Sequence, residues 1–270
     1  LKHIDLFTGI GGFHMAANWA GFETVGFAEI APYQSELLAK RWPDIPNYGN
    51  VKLLCPDEQT ELTDKDVTAD AILRQHGRID LLTAGVPCQP ASQAGKRLGT
   101  NDERWLWPDA LRVLRQLRPQ FAVFENPKGI KTVEDGQSFR EIQAELASSG
   151  YDYWWDSIPA TAVGGGHVRE RVWLVAYSHS AGLEGHSGLG VPPEGWSDKR
   201  RPSADADLSP RKTSNRETWY RESPVCPVVD GVSASSFRSE FEAIGNAIVP
   251  QVAYCLLKPI ADLIVFREQN

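Results

Sequence analysis

Cys88, Glu125 and the pair Arg169 and Arg171 are the residues of this chain whose types could combine into covalent chemistry. Cys88 stands in the run Leu81-Leu82-Thr83-Ala84-Gly85-Val86-Pro87-Cys88-Gln89-Pro90-Ala91-Ser92, where a short apolar strand ends in a loop. Pro87 and Pro90 each fix their own φ and push the preceding residue toward extended geometry, so the thiol is carried on a stiffened loop. A thiolate is a nucleophile, and neighbouring cations lower the thiol pKa. Arg169 and Arg171 are two residues apart on an expected strand and so point to one face. Glu125 ends the apolar run Phe121-Ala122-Val123-Phe124, where desolvation would raise its pKa and leave it a proton to donate. Each has a plainer reading: a cysteine filling core space, a solvated arginine pair, a turn glutamate. What weighs against those readings is the rest of the chain.

The elements expected to position these groups are those of an α/β sheet. His3 to Phe7 reads as a first strand, followed by Thr8-Gly9-Ile10-Gly11-Gly12 and a helix over Phe13–Ala20 that Gly21 stops. A strand, a glycine-rich turn and a helix start open many nucleotide-binding halves, because glycine admits close backbone approach and the helix start offers free N–H groups. Gly-x-Gly-Gly is by itself a weak signal and also suits a plain tight turn. Glu23 to Glu29 reads as a second strand ending in an acid placed to accept from two ribose hydroxyls. A helix from Pro32 to about Arg41 follows, then a loop over 52–67, a helix over Ala69–His76, and the Cys88 strand. Residues 93–100 are rich in Gly, Lys and Arg. Further on, Trp107–Leu117 and Ser138–Ser149 have helical spacing, and Tyr151–Ile158 and Arg171–Ala176 alternate as a pair of strands. Composition shifts at about Tyr177: residues 177–236 are rich in Gly, Pro, Ser, Asp and Arg, which marks a small irregular domain or insertion. Helical order is expected again over 237–243, and over 251–266 with Pro259 bending or splitting it. One large domain, 1–176 with 237–270, would then be interrupted by 177–236.

The chain has 270 residues, a formal net charge of −7, 41% hydrophobic and 23% charged residues. That is ordinary for a soluble globular protein and argues against nonspecific coating of nucleic acid, though not against a local basic groove. The four cysteines, Cys55, Cys88, Cys226 and Cys255, form no Cys-x-x-Cys pair, which suits a reducing cytoplasm better than a disulfide framework or zinc site. No run reaches membrane-spanning length, and the first residues lack a signal-peptide pattern.

Taken in order, the segments resemble the cytosine-5 DNA methyltransferase family of bacterial and phage type. Asp5-Leu6-Phe7-Thr8-Gly9-Ile10-Gly11-Gly12-Phe13 looks like its first cofactor motif, and Gly85 to Ser92 is similar to its nucleophile loop. Glu125-Asn126-Pro127 matches its Glu-Asn-Val motif except at the last residue. His167-Val168-Arg169-Glu170-Arg171 stands where the family usually has Gln-x-Arg-x-Arg, and Gly245-Asn246-Ala247-Ile248-Val249-Pro250 resembles its C-terminal motif.

The resemblance implies a Rossmann-like methyltransferase domain, with a mostly parallel sheet flanked by helices, plus a small recognition region. It implies S-adenosylmethionine as methyl donor, no metal, double-stranded DNA as partner, a monomer in the cytoplasm, and a cognate restriction endonuclease as a functional rather than physical partner. Cys88 would attack ring carbon 6 of a flipped cytosine, making carbon 5 nucleophilic. Glu125 would bond the exocyclic amine and, when protonated, ring nitrogen 3, and Arg169 and Arg171 would help bind the carbonyl and order the thiol and nearby backbone. Phe7, Thr8, Gly9, Gly11, Gly12, Glu29, Asn50, Val51, Pro87, Asn246 and Ala247 would line the cofactor. Gln89, Ser92, Lys96 and Arg97 would touch DNA. Three other functions compete: the same chemistry on transfer RNA, a dinucleotide-dependent oxidoreductase sharing the opening turn, and a DNA-binding protein with a relic site.

Overall fold

A computed structural model describes residues 1–57, 60–64, 66–87, 105–179, 243 and 245–269. Six strands form one sheet: β1 (Lys2–Leu6), β2 (Glu23–Ala28), β3 (Leu81–Ala84), β4 (Phe121–Pro127), β5 (Tyr151–Pro159) and β6 (Glu170–Ser178), in the order β2-β1-β3-β4-β6-β5. The first four pair in parallel and β6 runs antiparallel to both its neighbours. Parallel pairing requires crossovers, which α1 (Gly12–Ala20), α2 (Pro32–Arg41), α3 (Val51–Leu54), α4 (Ala69–His76) and α5 (Trp107–Leu117) supply; α6 (Gln137–Ser148) joins β4 to β5, and α7 (Pro250–Glu268) follows the last strand. The mostly parallel α/β architecture expected from the sequence is present.

Two apolar clusters cover the two faces. Strand residues Ile4, Leu82, Ala122, Phe124, Val172 and Leu174 share one cluster with residues of α4, α5 and α6. Leu81, Phe121, Val123, Trp173 and Val175 share the other with α1 and α7. Alternation along each strand produces the division, because successive side chains point to opposite faces. The second cluster explains why Pro259 neither stops nor splits the terminal helix. Val252, Ala253, Leu256 and Leu257 before it, and Ile260, Ala261 and Ile264 after it, are buried on the same face, so packing holds both halves in line.

Three other expectations need correction. The stretch beginning at residue 52 is not wholly a loop: α3 forms because Asn50 caps it, its side chain accepting from Lys52 N at 3.1 Å, while Val51 and Leu54 are buried. Strand β4 does not close before Glu125; it runs to Pro127 because β6 pairs with it down to Pro127 opposite Arg171. Two 3-10 segments, Lys128–Gly136 and Ala160–Val163, fill connections that have no clear period in sequence.

A polar chain runs through the buried layer between α1 and the sheet. His14 Nδ1 meets Thr24 Oγ1 at 2.9 Å, His3 bridges Thr24 (2.8 Å) and Thr83 (2.7 Å), and the Thr83 hydroxyl donates to Asp5 Oδ1 at 2.7 Å. With Thr83 donating to Asp5, the chain is satisfied when His3 Nε2 donates to Thr83, His3 Nδ1 accepts from Thr24 and Thr24 accepts from His14. Burial, reinforced by the two imidazoles' proximity, lowers His3 to about 3; burial lowers His14 to about 4. Burial raises Asp5 to about 8 against the pull of Thr83, and its other oxygen, Oδ2, has no hydrogen-bond partner. All three side chains are therefore neutral at pH 7.

Candidate active site

The parallel strands bring three sequence motifs to one edge of the sheet. Leu6 of β1 pairs with Ala84 of β3, and Ala84 pairs with Phe124 of β4. The residues that follow, Phe7, Gly85 and Glu125, therefore leave the sheet side by side. At the usual strand spacing, Phe7 and Glu125 stand about 10 Å apart with the Gly85 loop between them. The chain turns opposite ways after β1 and β3, so this is also the switch point where open α/β sheets bind ligands.

The glycine turn is a strained connection held from several sides. Phe7 takes a left-handed φ of 51° while its N–H donates to Ala28 O at 2.8 Å, and the Thr8 hydroxyl donates to Asp5 O at 2.8 Å. Gly11, at φ 90°, is the residue before α1, and a Cβ there would meet the Trp42 ring at 2.5 Å. A Cβ on Gly12 would stand 2.8 Å from Ile248 Cβ, and one on Gly85 3.3 Å from Ile248 Cδ1. Ile248 thus lies against both the glycine turn and the start of the loop after β3, which brings the C-terminal segment to this edge of the sheet.

Glu29 ties the end of β2 to that turn. One carboxylate oxygen accepts from Gly9 N and the other from Ala31 N, both at 2.8 Å. Asn47 holds the Glu29 backbone in place by accepting from its N–H and donating to its carbonyl, each at 3.0 Å. Asn50 is the cap of α3, and Val51 belongs to the core beneath it. Ile30, which sequence reasoning missed, is 66% exposed beside Glu29, and Phe7 is half-buried nearby. The available signal was an apolar residue directly after the acid that ends strand two.

On the α1–α7 face, Glu125 and Arg171 come together from positions far apart in sequence. Glu125 is directly opposite Trp173, so Arg171 is its diagonal neighbour on the same face. Arg171 Nε lies 3.1 Å from Glu125 Oε1, an ion-pair distance without hydrogen-bond alignment, since that oxygen has no hydrogen-bonded partner. Glu125 is 5% exposed. Burial raises its pKa to about 7, with Arg171 and then Arg169 pulling the other way. Arg171 Nη1 donates to Glu170 O at 2.9 Å. The terminal nitrogens of Arg169 donate to backbone carbonyls, those of Gly245 and, at 3.0 Å, Ala247. Asn126 donates to Glu125 O at 2.5 Å. Glu125 Oε1, Asn126 Oδ1 and Arg169 Nε are buried without hydrogen-bond partners, the condition expected of groups that a ligand completes.

Pro87 is half-buried at the end of the described loop, and Asn246 is exposed beside Ala247. Cys88, Gln89, Ser92, Lys96 and Arg97 lie outside the described residues, as do 180–236 of the expected recognition region and most of the helix expected over 237–243.

The fold and this edge define a Rossmann-like α/β protein with a glycine turn at its switch point and a buried acid–arginine pair two strands away. Residues 1–222 match the model of the C-5 cytosine-specific DNA methylase family, and the chain belongs to that family. It is 30% identical over 183 residues to the Type II methyltransferase M.HgiCII of Herpetosiphon aurantiacus, covering 67% of this chain and 38% of that protein. It is 34% identical over 179 residues to the Type II methyltransferase M.NlaX of Neisseria lactamica, covering 65% and 52%. The chain therefore spans about half, or less, of the length of the curated relatives it matches. Among solved structures, a protein from E. coli described as a DNA modification methyltransferase encoded within a prophage superposes with a TM-score of 0.53 at 22% identity, covering 68% of this chain and 48% of that one.

Proposed function

We propose that this chain transfers a methyl group from S-adenosylmethionine to carbon 5 of a cytosine flipped out of duplex DNA. The observation that carries the reading is the alignment of Phe7, Gly85 and Glu125 on adjacent strand ends. It sets the glycine turn, the start of the segment that leads to Cys88 in sequence, and a buried acid on neighbouring strand ends.

The residues present fit the cofactor. A carboxylate offers about four acceptor positions, and Glu29 uses two on Gly9 and Ala31, so two remain for a pair of ribose hydroxyls. Phe7 and Ile30 offer apolar surface for adenine, and a Cβ on Gly9 would meet nothing within 4 Å, leaving its backbone open to approach. Gly11 N donates to Thr8 O at 3.0 Å, so what the start of α1 offers a carboxylate is the positive end of its dipole. Bound there, S-adenosylmethionine supplies the electrophilic methyl carbon.

The chain's own groups do the rest. The Cys88 thiolate adds to carbon 6 of the ring, and the electron pair displaced toward ring nitrogen 3 is met by the proton of Glu125. A pKa near 7 keeps about half of Glu125 protonated at neutral pH, which suits a group that gives and regains a proton. Arg171, beside Glu125, is placed to bond the base carbonyl. The cofactor would supply the methyl group to carbon 5; loss of the carbon-5 proton to solvent would then restore the ring double bond and expel the Cys88 thiolate. Residues 177–236 would read the sequence, and Gln89, Ser92, Lys96 and Arg97 would hold the backbone. In this arrangement the catalytic domain, 1–176 with 237–270, is interrupted by the recognition region.

Transfer of labelled methyl to duplex DNA, located by bisulfite sequencing and run beside transfer RNA, tests the reading. Label on cytosine carbon 5 of DNA, lost in Cys88→Ser, is the expected result. Label on RNA alone would transfer the function to the other substrate.

A further inference from the structure

Arg169 sits in the segment expected to hold the base, yet its guanidinium is committed elsewhere. Two of its nitrogens donate to the carbonyls of Gly245 and Ala247, the residues on either side of Asn246. Its own backbone is anchored, because Ala160 N donates to Arg169 O at 3.1 Å and Gly165 N to Ala160 O at 3.0 Å. The 3-10 segment Ala160–Val163 that makes this anchor packs on α7, the helix that follows the clasped turn. A planar fork gripping two carbonyls two residues apart fixes both the position and the orientation of a turn, which a single ammonium cannot do. The turn so fixed carries Ile248 directly against the Gly12 and Gly85 backbones. Arg171, two residues on and inside β6, is the partner of Glu125.

We propose that Arg169 is a positioning residue that clasps the 245–247 turn and so sets the C-terminal wall of the cofactor site, leaving Arg171 alone to face the base. The entry into β6 then links the two halves of the site: Arg169, just before it, fixes the cofactor wall, and Arg171, within it, fixes the acid. This inference rests on the methyltransferase reading for the identity of the cofactor, but the clasp itself does not.

The test measures two quantities on wild type, Arg169→Ala and Arg169→Lys. Titration calorimetry without DNA gives the affinity for S-adenosylmethionine, and amide hydrogen exchange gives the protection of peptides over 245–252. The alanine variant should bind the cofactor at least tenfold more weakly and exchange at least tenfold faster over those peptides, with exchange in β1 and β3 unchanged. Lysine, able to reach one carbonyl at a time, should fall between, and it decides the matter if the alanine variant does not fold. Cofactor affinity and local exchange within twofold of wild type, with methylation lost, would overturn the proposal and return Arg169 to the base. If wild type does not bind S-adenosylmethionine, the methyltransferase reading fails, and the exchange measurement alone then upholds or rejects the clasp.

Discussion

Replacing Glu125 with glutamine should make the protein more stable and less active at once, and the stability gain should depend on pH. Burial moves this carboxyl from an ordinary 4.5 to about 7, a value that already includes the pull of Arg171 and Arg169. Folding thus favours the protonated form, and the linked contribution has a definite sign. Below pH 4.5 the side chain is protonated folded or unfolded, and nothing is lost. As pH rises toward 7 the unfolded chain ionises while the folded one does not, and stability declines. Above pH 7 the full difference stands against the native state, about 3 kcal/mol at roughly 1.4 kcal/mol per pH unit. Glutamine has the same shape and cannot ionise, so Glu125→Gln should gain little at pH 4.5 and about 3 kcal/mol at pH 8.5. Urea unfolding at pH 4.5, 6.5 and 8.5 measures this directly. The same variant should lose about 10²–10⁴-fold in methyl transfer, because it has no proton to give. Once Cys88 is fully ionised, the wild-type single-turnover rate should fall about tenfold per pH unit above the Glu125 pKa of about 7. A stability change independent of pH would refute the argument that desolvation of a carboxylate dominates here, whatever happened to activity.

Four buried groups together should set the shape of the stability profile. His3 and His14, held neutral to about 3 and about 4, withdraw stability as pH falls below 6.5; Asp5 and Glu125, held protonated to about 8 and about 7, withdraw it as pH rises above 3.8 and 4.5. The two pairs oppose each other between 4.5 and 6.5, so the unfolding free energy should be nearly flat there and decline from 6.5 to 8; a midpoint that rises steadily to pH 8 contradicts the buried chain. Thr83→Val removes two bonds of that chain and strands His3 Nε2 and Asp5 Oδ1, which should cost about 2–5 kcal/mol in denaturant unfolding. A loss under about 0.5 kcal/mol would show that water or a rotamer change replaces the bonds. Gly12→Ala drives a methyl into Ile248 and should cost about 1–3 kcal/mol while weakening S-adenosylmethionine binding, read by calorimetry; unchanged affinity would mean that the C-terminal segment moves aside freely.

The local sequence was sufficient for the parts of this protein whose causes are local. Helices α2, α4 and α5 have the bounds that Pro, Thr and Gly signals and apolar spacing predict, and the glycine turn follows from four glycines between residues 9 and 21. The motif order pointed to the family because five short segments keep their residue types however far apart they lie. Pairing across the sheet was not legible. Glu125 and Arg171 meet only because β6 enters antiparallel beside β4 in one register, and a one-residue slip would put them on opposite faces. The same registry lets β4 run on through Pro127, and burial on α1 and the sheet carries α7 past Pro259. Nothing near Arg169 in sequence marks Gly245 and Ala247 as its partners, and nothing near His3 marks Thr24 and Thr83. Such bonds join residues brought together by packing, and a buried donor or acceptor takes the partner that packing leaves beside it. Residue type and order therefore determined which chemistry is available, and the tertiary structure decided which atoms face one another to perform it.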